Sequence, residues 1–154
     1  MENADLLKRI PYPVLVLTTY SYGRFYGQAV VWSTQVSYEP VRFQVALGFT
    51  RHTSKQLSIG APVALQWVSD IGVARFFGRL SGRDVNKFTL PECPVFEEVR
   101  SGGVPFPVLR DTALVVLGEV SHKRAVGSHS VFLVDVQQIL KRGMQFVNYD
   151  YGSI

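Results

Sequence analysis

Apolar residues in this chain fall into short runs of six to ten, separated by proline, glycine and polar breaks. Residues 14–19 (VLVLTT) form a β-branched run after Pro11 and Pro13, closed by the turn-like Ser21-Tyr22-Gly23. Residues 27–36 (GQAVVWSTQV) and 41–47 (VRFQVAL) read as two more strands, broken by Glu39-Pro40. In the second, Val41, Phe43, Val45 and Leu47 alternate with Arg42, Gln44 and Ala46, the period of a strand with one buried face. Residues 63–68, 113–120 and 131–136 complete six strands. Helical spacing is shorter-lived. Residues 53–59 start on a hydroxyl and stop at Gly60-Ala61-Pro62, and residues 70–80 place apolar side chains at helical intervals. Residues 81–107 are the least regular and hold four prolines, Pro91, Pro94, Pro105 and Pro107. They read as an excursion with one helical turn at 96–100. The pattern predicts a mainly β fold, six strands in one barrel with a few short helices.

Composition narrows this. At 154 residues the chain is expected to be a single domain, 1–154. Charged residues make up 18%, below the typical figure of about 25%, so a disordered chain is excluded. The net charge of +4 suits a small anionic ligand better than a long stretch of nucleic acid. Lys123-Arg124 and Lys141-Arg142 read as solvated turn residues, and Tyr149-Asp150-Tyr151 as a tail packed on a neighbouring surface. The uncharged stretches 10–23 and 25–38 fall short of the roughly 18 apolar residues a membrane span needs. Met1–Asp5 carries two acids and no apolar run, so no signal peptide is expected. One cysteine, Cys93, allows no internal disulfide and fits a reducing, cytoplasmic setting. No Lys, Arg or His lies within five residues of it, so it reads as structural rather than redox-active.

The chain has no GxGxxG, no GxxxxGK[ST], no HExxH, no CxxC and no GxSxG. Rossmann, P-loop, hydrolase-elbow and thiolate-metal chemistry are therefore set aside, and no metal site is expected. The densest polar cluster is Arg51-His52-Thr53-Ser54-Lys55, directly after a strand. It has two readings: an anion site at a helix start, or a solvated loop with Thr53 as N-cap. The stretch Gly27 to Ser37 mixes small, apolar and hydroxyl residues around Trp32. Such a strand could face a flat heteroaromatic ring or lie in the core with Trp32 packed inside.

In order, these segments carry a resemblance. Val16-Leu17-Thr18-Thr19, Gly27 through Trp32 to Pro40, His52-Thr53-Ser54-Lys55, Phe76-Phe77-Gly78, Asn86-Lys87-Phe88 and Gly127-Ser128-His129 together resemble the flavin reductase-like family of FMN-binding split barrels. The likeness spans residues 10–136. It implies a six-stranded Greek-key split barrel that dimerises, with FMN near the interface. Ala29, Val30, Val31, Trp32 and Ser33 would line the isoalloxazine and ribityl chain, largely through backbone groups. Arg51, His52, Thr53 and Ser54 would hold the phosphate, with Lys87 adding a cation. His129 matches the family's nicotinamide-facing histidine, the position expected to orient NADH or NADPH. Two positions depart from the pattern: Ser128 stands where the family has an acid, and Asp135 where it has glycine. The resemblance implies NAD(P)H-dependent flavin reduction. The departures favour an alternative, a flavoprotein carrier exchanging electrons with a protein partner. A split barrel holding another flat ligand, such as pyridoxal phosphate or haem, is a further one.

Overall fold

The two most apolar runs of the sequence lie side by side in one sheet, each covered on both faces. The structure is a computed structural model that describes residues 3–150 apart from 144 and 147. Its elements in chain order are α1 (Ala4–Leu7), β1 (Pro11–Pro13), β2 (Leu15–Ser21), β3 (Arg24–Val30), β4 (Ser33–Tyr38), β5 (Val41–Gly48), α2 (His52–Lys55), β6 (Pro62–Val68), α3 (Ile71–Arg79), a 3-10 turn (Lys87–Thr89), β7 (Phe96–Ser101), β8 (Val104–Leu109), β9 (Thr112–Val126), β10 (His129–Lys141) and β11 (Asn148–Asp150). Seven strands form an antiparallel sheet in the order β3-β2-β6-β9-β10-β5-β4.

Alternation along each strand sorts its residues onto two faces. Leu15 and Leu17 of β2, Val30 of β3, Val45 and Leu47 of β5, Val63, Leu65 and Trp67 of β6, Val116 and Val120 of β9, and Phe132 and Val134 of β10 point into one core. Six strands thus wrap a single interior, as the sequence predicts. The sheet ends in β3 and β4, which are consecutive in the chain yet do not pair with each other. Val31 and Trp32 join them, and the Trp32 carbonyl accepts from the Ala46 amide of β5 at 2.9 Å. The barrel is split at this seam.

The other face explains the uninterrupted apolar runs. Val14, Val16 and Val68 meet Val73, Ala74 and Phe77 of α3. Asp70 caps that helix, accepting from the Gly72 amide at 2.8 Å. Complete burial of Phe77 contributes on the order of 2–3 kcal/mol. It requires glycine at 27, because a Cβ there would stand 2.9 Å from the Phe77 ring. Elsewhere Phe106 and Val108 of β8 cover Ala64, Val115 and Leu117. The β7–β8 hairpin is pinned by Gln66, fully buried on β6. Its Nε2 donates to Thr18 Oγ1 at 2.9 Å and to the Pro107 carbonyl at 2.8 Å, and its Oε1 accepts from the Leu109 amide at 2.7 Å.

Several expectations need correction. Residues 96–100 are not a helical turn but part of β7; Gly102 and Gly103, at φ of 57° and 78°, make the left-handed two-residue turn that folds β8 back. The single strand expected over 27–36 is interrupted at Val31-Trp32, where the chain leaves one sheet end for the other. The helix expected over 53–59 is one turn, His52–Lys55, and its N-cap is Arg51 rather than Thr53. Strands expected at 113–120 and 131–136 extend to Val126 and Lys141, past the point where apolar alternation ends. The basic pairs are not solvated turns. Lys123 and Arg124 lie in β9 with Lys123 donating to the Leu57 carbonyl at 3.2 Å, and Arg142 meets Glu97 at 3.3 Å. Tyr149 and Asp150 belong to β11, which pairs with β1, while Tyr151 lies outside the described residues.

Candidate functional site

Strand β3 is the last in its sheet, so its outer edge has no strand partner. The Gly27 carbonyl on that edge instead accepts from Lys87 Nζ at 2.7 Å and from Thr53 Oγ1 at 3.3 Å. The same ammonium donates to the Phe77 carbonyl at 2.7 Å. Three segments far apart in sequence are thereby knotted to β3: α2, the end of α3 and the 3-10 turn. Since alternate residues of an antiparallel strand turn both backbone groups to the same side, Ala29 presents its N–H and C=O on this outer edge too.

Beside the knot lies a cleft of about 280 Å³, lined by Gln28, Thr50, Arg51, His52, Thr53, Lys55, Phe77, Gly78, Leu80, Ser81, Gly82, Arg83 and Lys87. Four cations line it and no carboxylate does. Asp84 stands just outside, 3.2 Å from Arg83 in an exposed ion pair. Burial, and then the Arg24, Lys55 and Arg83 charges, push the His52 imidazole below its ordinary range. His52 therefore serves as a neutral hydrogen-bonding ring at pH 7, packed against Tyr26 with centroids 5.4 Å apart. Burial, with Arg51 adding repulsion, lowers the Lys87 ammonium to about 8. Arg24 buttresses the far wall, donating to the Gly82 and Val85 carbonyls, both at 2.9 Å.

Arg51, His52, Thr53 and Lys87 therefore meet in one cleft. Ser54 belongs to the same turn but is buried and absent from the lining. Thr53 spends its hydroxyl on Gly27 rather than on a helix cap. Val30 turns its side chain into the barrel core, and Ala29 and Val31 pack under α3. Trp32 and Ser33 lie at the seam, away from the cleft lining. Trp32, 37% exposed, packs against the His129 ring in a tilted contact with centroids 4.6 Å apart. His129 opens β10 opposite Gly48, and its Nδ1 is 2.8 Å from Ser128 Oγ. The Gly48 carbonyl in turn accepts from the Arg51 amide at 2.9 Å, so one β-strand end carries both the cation cluster and the histidine. Asp135 is committed elsewhere, to Arg42 at 2.6 Å and Ser121 at 2.8 Å. The guanidinium, first of all, holds its carboxyl below the usual range. Cys93 is half-buried, and burial pushes its thiol up to about 11, so it stays protonated and unreactive.

Sequence reasoning missed Gln28, Lys55 as a lining residue, and the Gly82-Arg83 turn. Gln28 is a polar residue inside an otherwise apolar strand, and its Oε1 is buried with no hydrogen-bond partner among protein groups. Leaving such an oxygen unpaired costs about 1–3 kcal/mol.

A cation-lined cleft beside a free strand edge suits a ligand that carries an anionic group such as phosphate. Residues 7–153 match the family described as the flavin reductase like domain. The chain belongs to that family. No curated protein matches it in sequence. Among solved structures, a candidate oxidoreductase from Sinorhizobium meliloti 1021 superimposes with a TM-score of 0.80 at 19% identity, over 96% of this chain and 50% of that one. This chain therefore spans about half the length of that relative. The NADH:FAD oxidoreductase SgcE6 of Streptomyces globisporus C-1027 gives 0.79 at 16% identity, over 94% and 85%. An FMN-binding protein from Thermus thermophilus gives 0.72 at 20% identity, over 86% and 73%. At these identities the likeness establishes the split-barrel fold of the flavin reductase-like chain. Among the described residues no helix is long and apolar enough to cross a membrane, and no three His, Cys, Asp or Glu side chains come together.

Proposed function

We propose that this flavin reductase-like chain binds FMN and reduces it with NADH or NADPH, acting as a single-domain homodimer. The observation that carries the reading is the carboxylate-free cationic cleft at the free edge of β3. Arg51, Lys55, Arg83 and Lys87 supply charge for a phosphate dianion, and Ala29 supplies backbone groups for the isoalloxazine edge and ribityl chain. A bound flavin brings the redox chemistry, accepting a hydride and passing electrons to a second acceptor. The protein's own part is to bind, orient and shield.

His129 orients the nicotinamide by hydrogen bonding rather than by acid–base work. Ser128, which replaces the family's acid, supports this: its hydroxyl sits on His129 Nδ1 and fixes the ring, leaving Nε2 for the ligand. Asp135 bears less on the reductant than its departure from glycine suggests, because Arg42 and Ser121 hold its carboxylate. Strand β4 supports the homodimer. It is an open sheet end without a charged residue, and it leaves Val36 47% and Tyr38 90% exposed, a poor edge to offer to water. The single, protonated Cys93 suits a reducing, cytoplasmic compartment.

The test is anaerobic addition of NADH, then NADPH, to FMN-loaded protein while the visible flavin band is followed. Rapid bleaching by one of them is expected. A band that bleaches only with dithionite would replace the reductase with the electron carrier, and failure to retain FMN would remove the phosphate assignment.

A further inference from the structure

A second cavity, an open groove of about 770 Å³, runs beside α3 and is closed by the loop 90–94 and the turn at Asp111. Leu80, the residue that ends α3, lines both this groove and the cationic cleft, so the two cavities meet at one side chain. The chemistry of the wall changes along the helix. Arg79, the last residue of α3, stands at the end next to the cleft, with Arg75 one turn behind it. Asp70 precedes the first helical residue, nine positions and about 13 Å back along the axis. Asp111 lies beside it, since the Asp111 carbonyl accepts from the Ser69 amide at 3.0 Å. Between these ends the wall is apolar, built from Phe76, Leu90 and Pro94, and Glu92 adds an acceptor from the loop.

A matching ligand carries an anion at the cleft end, a flat apolar body, and N–H or O–H donors further along. A bare phosphate fills only the first of these positions, and a hydrocarbon leaves both charged ends without partners. An adenine nucleotide supplies phosphate, ribose diol and a flat purine with a donating exocyclic amine, in that order. We propose that this groove is an adenosine subsite, holding the adenine nucleotide arm of FAD when the FMN half lies in the cleft. This rests on the flavin reading above and extends the flavin from FMN to the dinucleotide. Arg79 attracts the second phosphate, Phe76 and Leu90 cover the purine faces, and Glu92 accepts from a ribose hydroxyl. Asp111 and Asp70 accept from the amine, Asp70 through Oδ2, because its Oδ1 caps the helix.

Three ligands separate the two cavities: FMN reaches only the cleft, ADP carries the adenosine arm without a flavin, and FAD spans both. Their affinities are measured by titration calorimetry on the wild type, Arg79→Ala and Asp111→Ala. The wild type is expected to bind FAD about ten-fold more tightly than FMN. Arg79→Ala should weaken FAD and ADP about five-fold each, the worth of a partly exposed charge contact, and Asp111→Ala about three-fold. FMN should be unmoved in both, which also shows that the variants are folded. Equal affinities for FAD and FMN in the wild type, or equal losses of the two in Arg79→Ala, would overturn the adenosine subsite while leaving FMN binding intact. A wild type that binds ADP through Arg79 but neither flavin would keep the adenosine site and overturn the flavin reading. Binding of none of the three would overturn both.

Discussion

Two polar clusters are buried in this barrel, and they differ in how fully their groups are paired. Around Gln66 every side-chain hydrogen-bonding position found is used: its amide nitrogen serves Thr18 and Pro107, and its amide oxygen takes the Leu109 N–H. Around Gly27 the pairing is incomplete. Lys87 and Thr53 are tied down, but Gln28 keeps a buried acceptor without a donor, and four cations line the cleft with no acid among the lining residues. A saturated buried network rigidifies a fold, whereas an unsaturated one awaits a partner. The contrast sets Gln66 apart as architecture and leaves the Gly27 cleft as the candidate binding site.

The largest expected effect strikes the unsaturated cluster. Replacing both Arg51 and Arg83 with alanine removes two charge-assisted contacts to phosphate, each worth roughly 1.5–3 kcal/mol. FMN affinity should fall about 100-fold or more while riboflavin affinity barely moves, as read by fluorescence titration. A parallel loss of riboflavin would mean that the cleft holds the ring and not the phosphate.

A smaller effect is expected from the saturated cluster. Gln66→Leu preserves volume but leaves the Leu109 N–H buried without its acceptor. Urea unfolding should show a loss of about 2 kcal/mol, the usual cost of an orphaned buried group, with FMN affinity unchanged. Loss of FMN binding in a folded Gln66→Leu protein would erase the distinction between the two clusters.

The same contrast explains what was legible in the sequence. The core strands announce themselves because burial imposes a two-residue period, as in Val41 to Leu47, or an unbroken apolar run where both faces are covered, as in Val14 to Val16. The β7–β8 hairpin is invisible because its first strand, FEEVRS, is charged and its second contains Pro105 and Pro107. What holds it is Gln66, more than forty positions away in sequence from the Leu109 amide it bonds. The far half of β9 is missed because residues 122–126 are exposed on both faces and have no reason to alternate. In the cleft, Arg51, His52 and Thr53 were readable as neighbours in sequence. Gln28 and Arg83 were not, since only the folding of α3 against β3 brings positions 28 and 83 together.

Lys87 belongs to both kinds of cluster, bonded like Gln66 yet charged like the cleft, and pH tests which character dominates. Its folded value is lowered to about 8 from an ordinary 10.5, first by burial and then by Arg51. In the interval between those values the unfolded chain binds more protons than the folded one, so stability must rise with pH there. A single group with those constants should add about 1 kcal/mol between pH 8 and pH 9. Cys93 works the other way, since burial lifts its thiol from 9.0 to about 11 and the unfolded chain loses that proton first. Cys93 is common to both proteins when the wild type is set against Lys87→Met, so the difference in their pH slopes isolates the lysine. The variant also leaves the Phe77 carbonyl without its donor, a cost that does not depend on pH and drops out of the slope. The stability read from urea unfolding should therefore rise less, or fall further, between pH 8 and pH 9 for Lys87→Met than for the wild type, by about 1 kcal/mol. Identical slopes would mean that Lys87 titrates in the folded protein as it does in water and keeps its full charge in the cleft beside Arg51, Lys55 and Arg83.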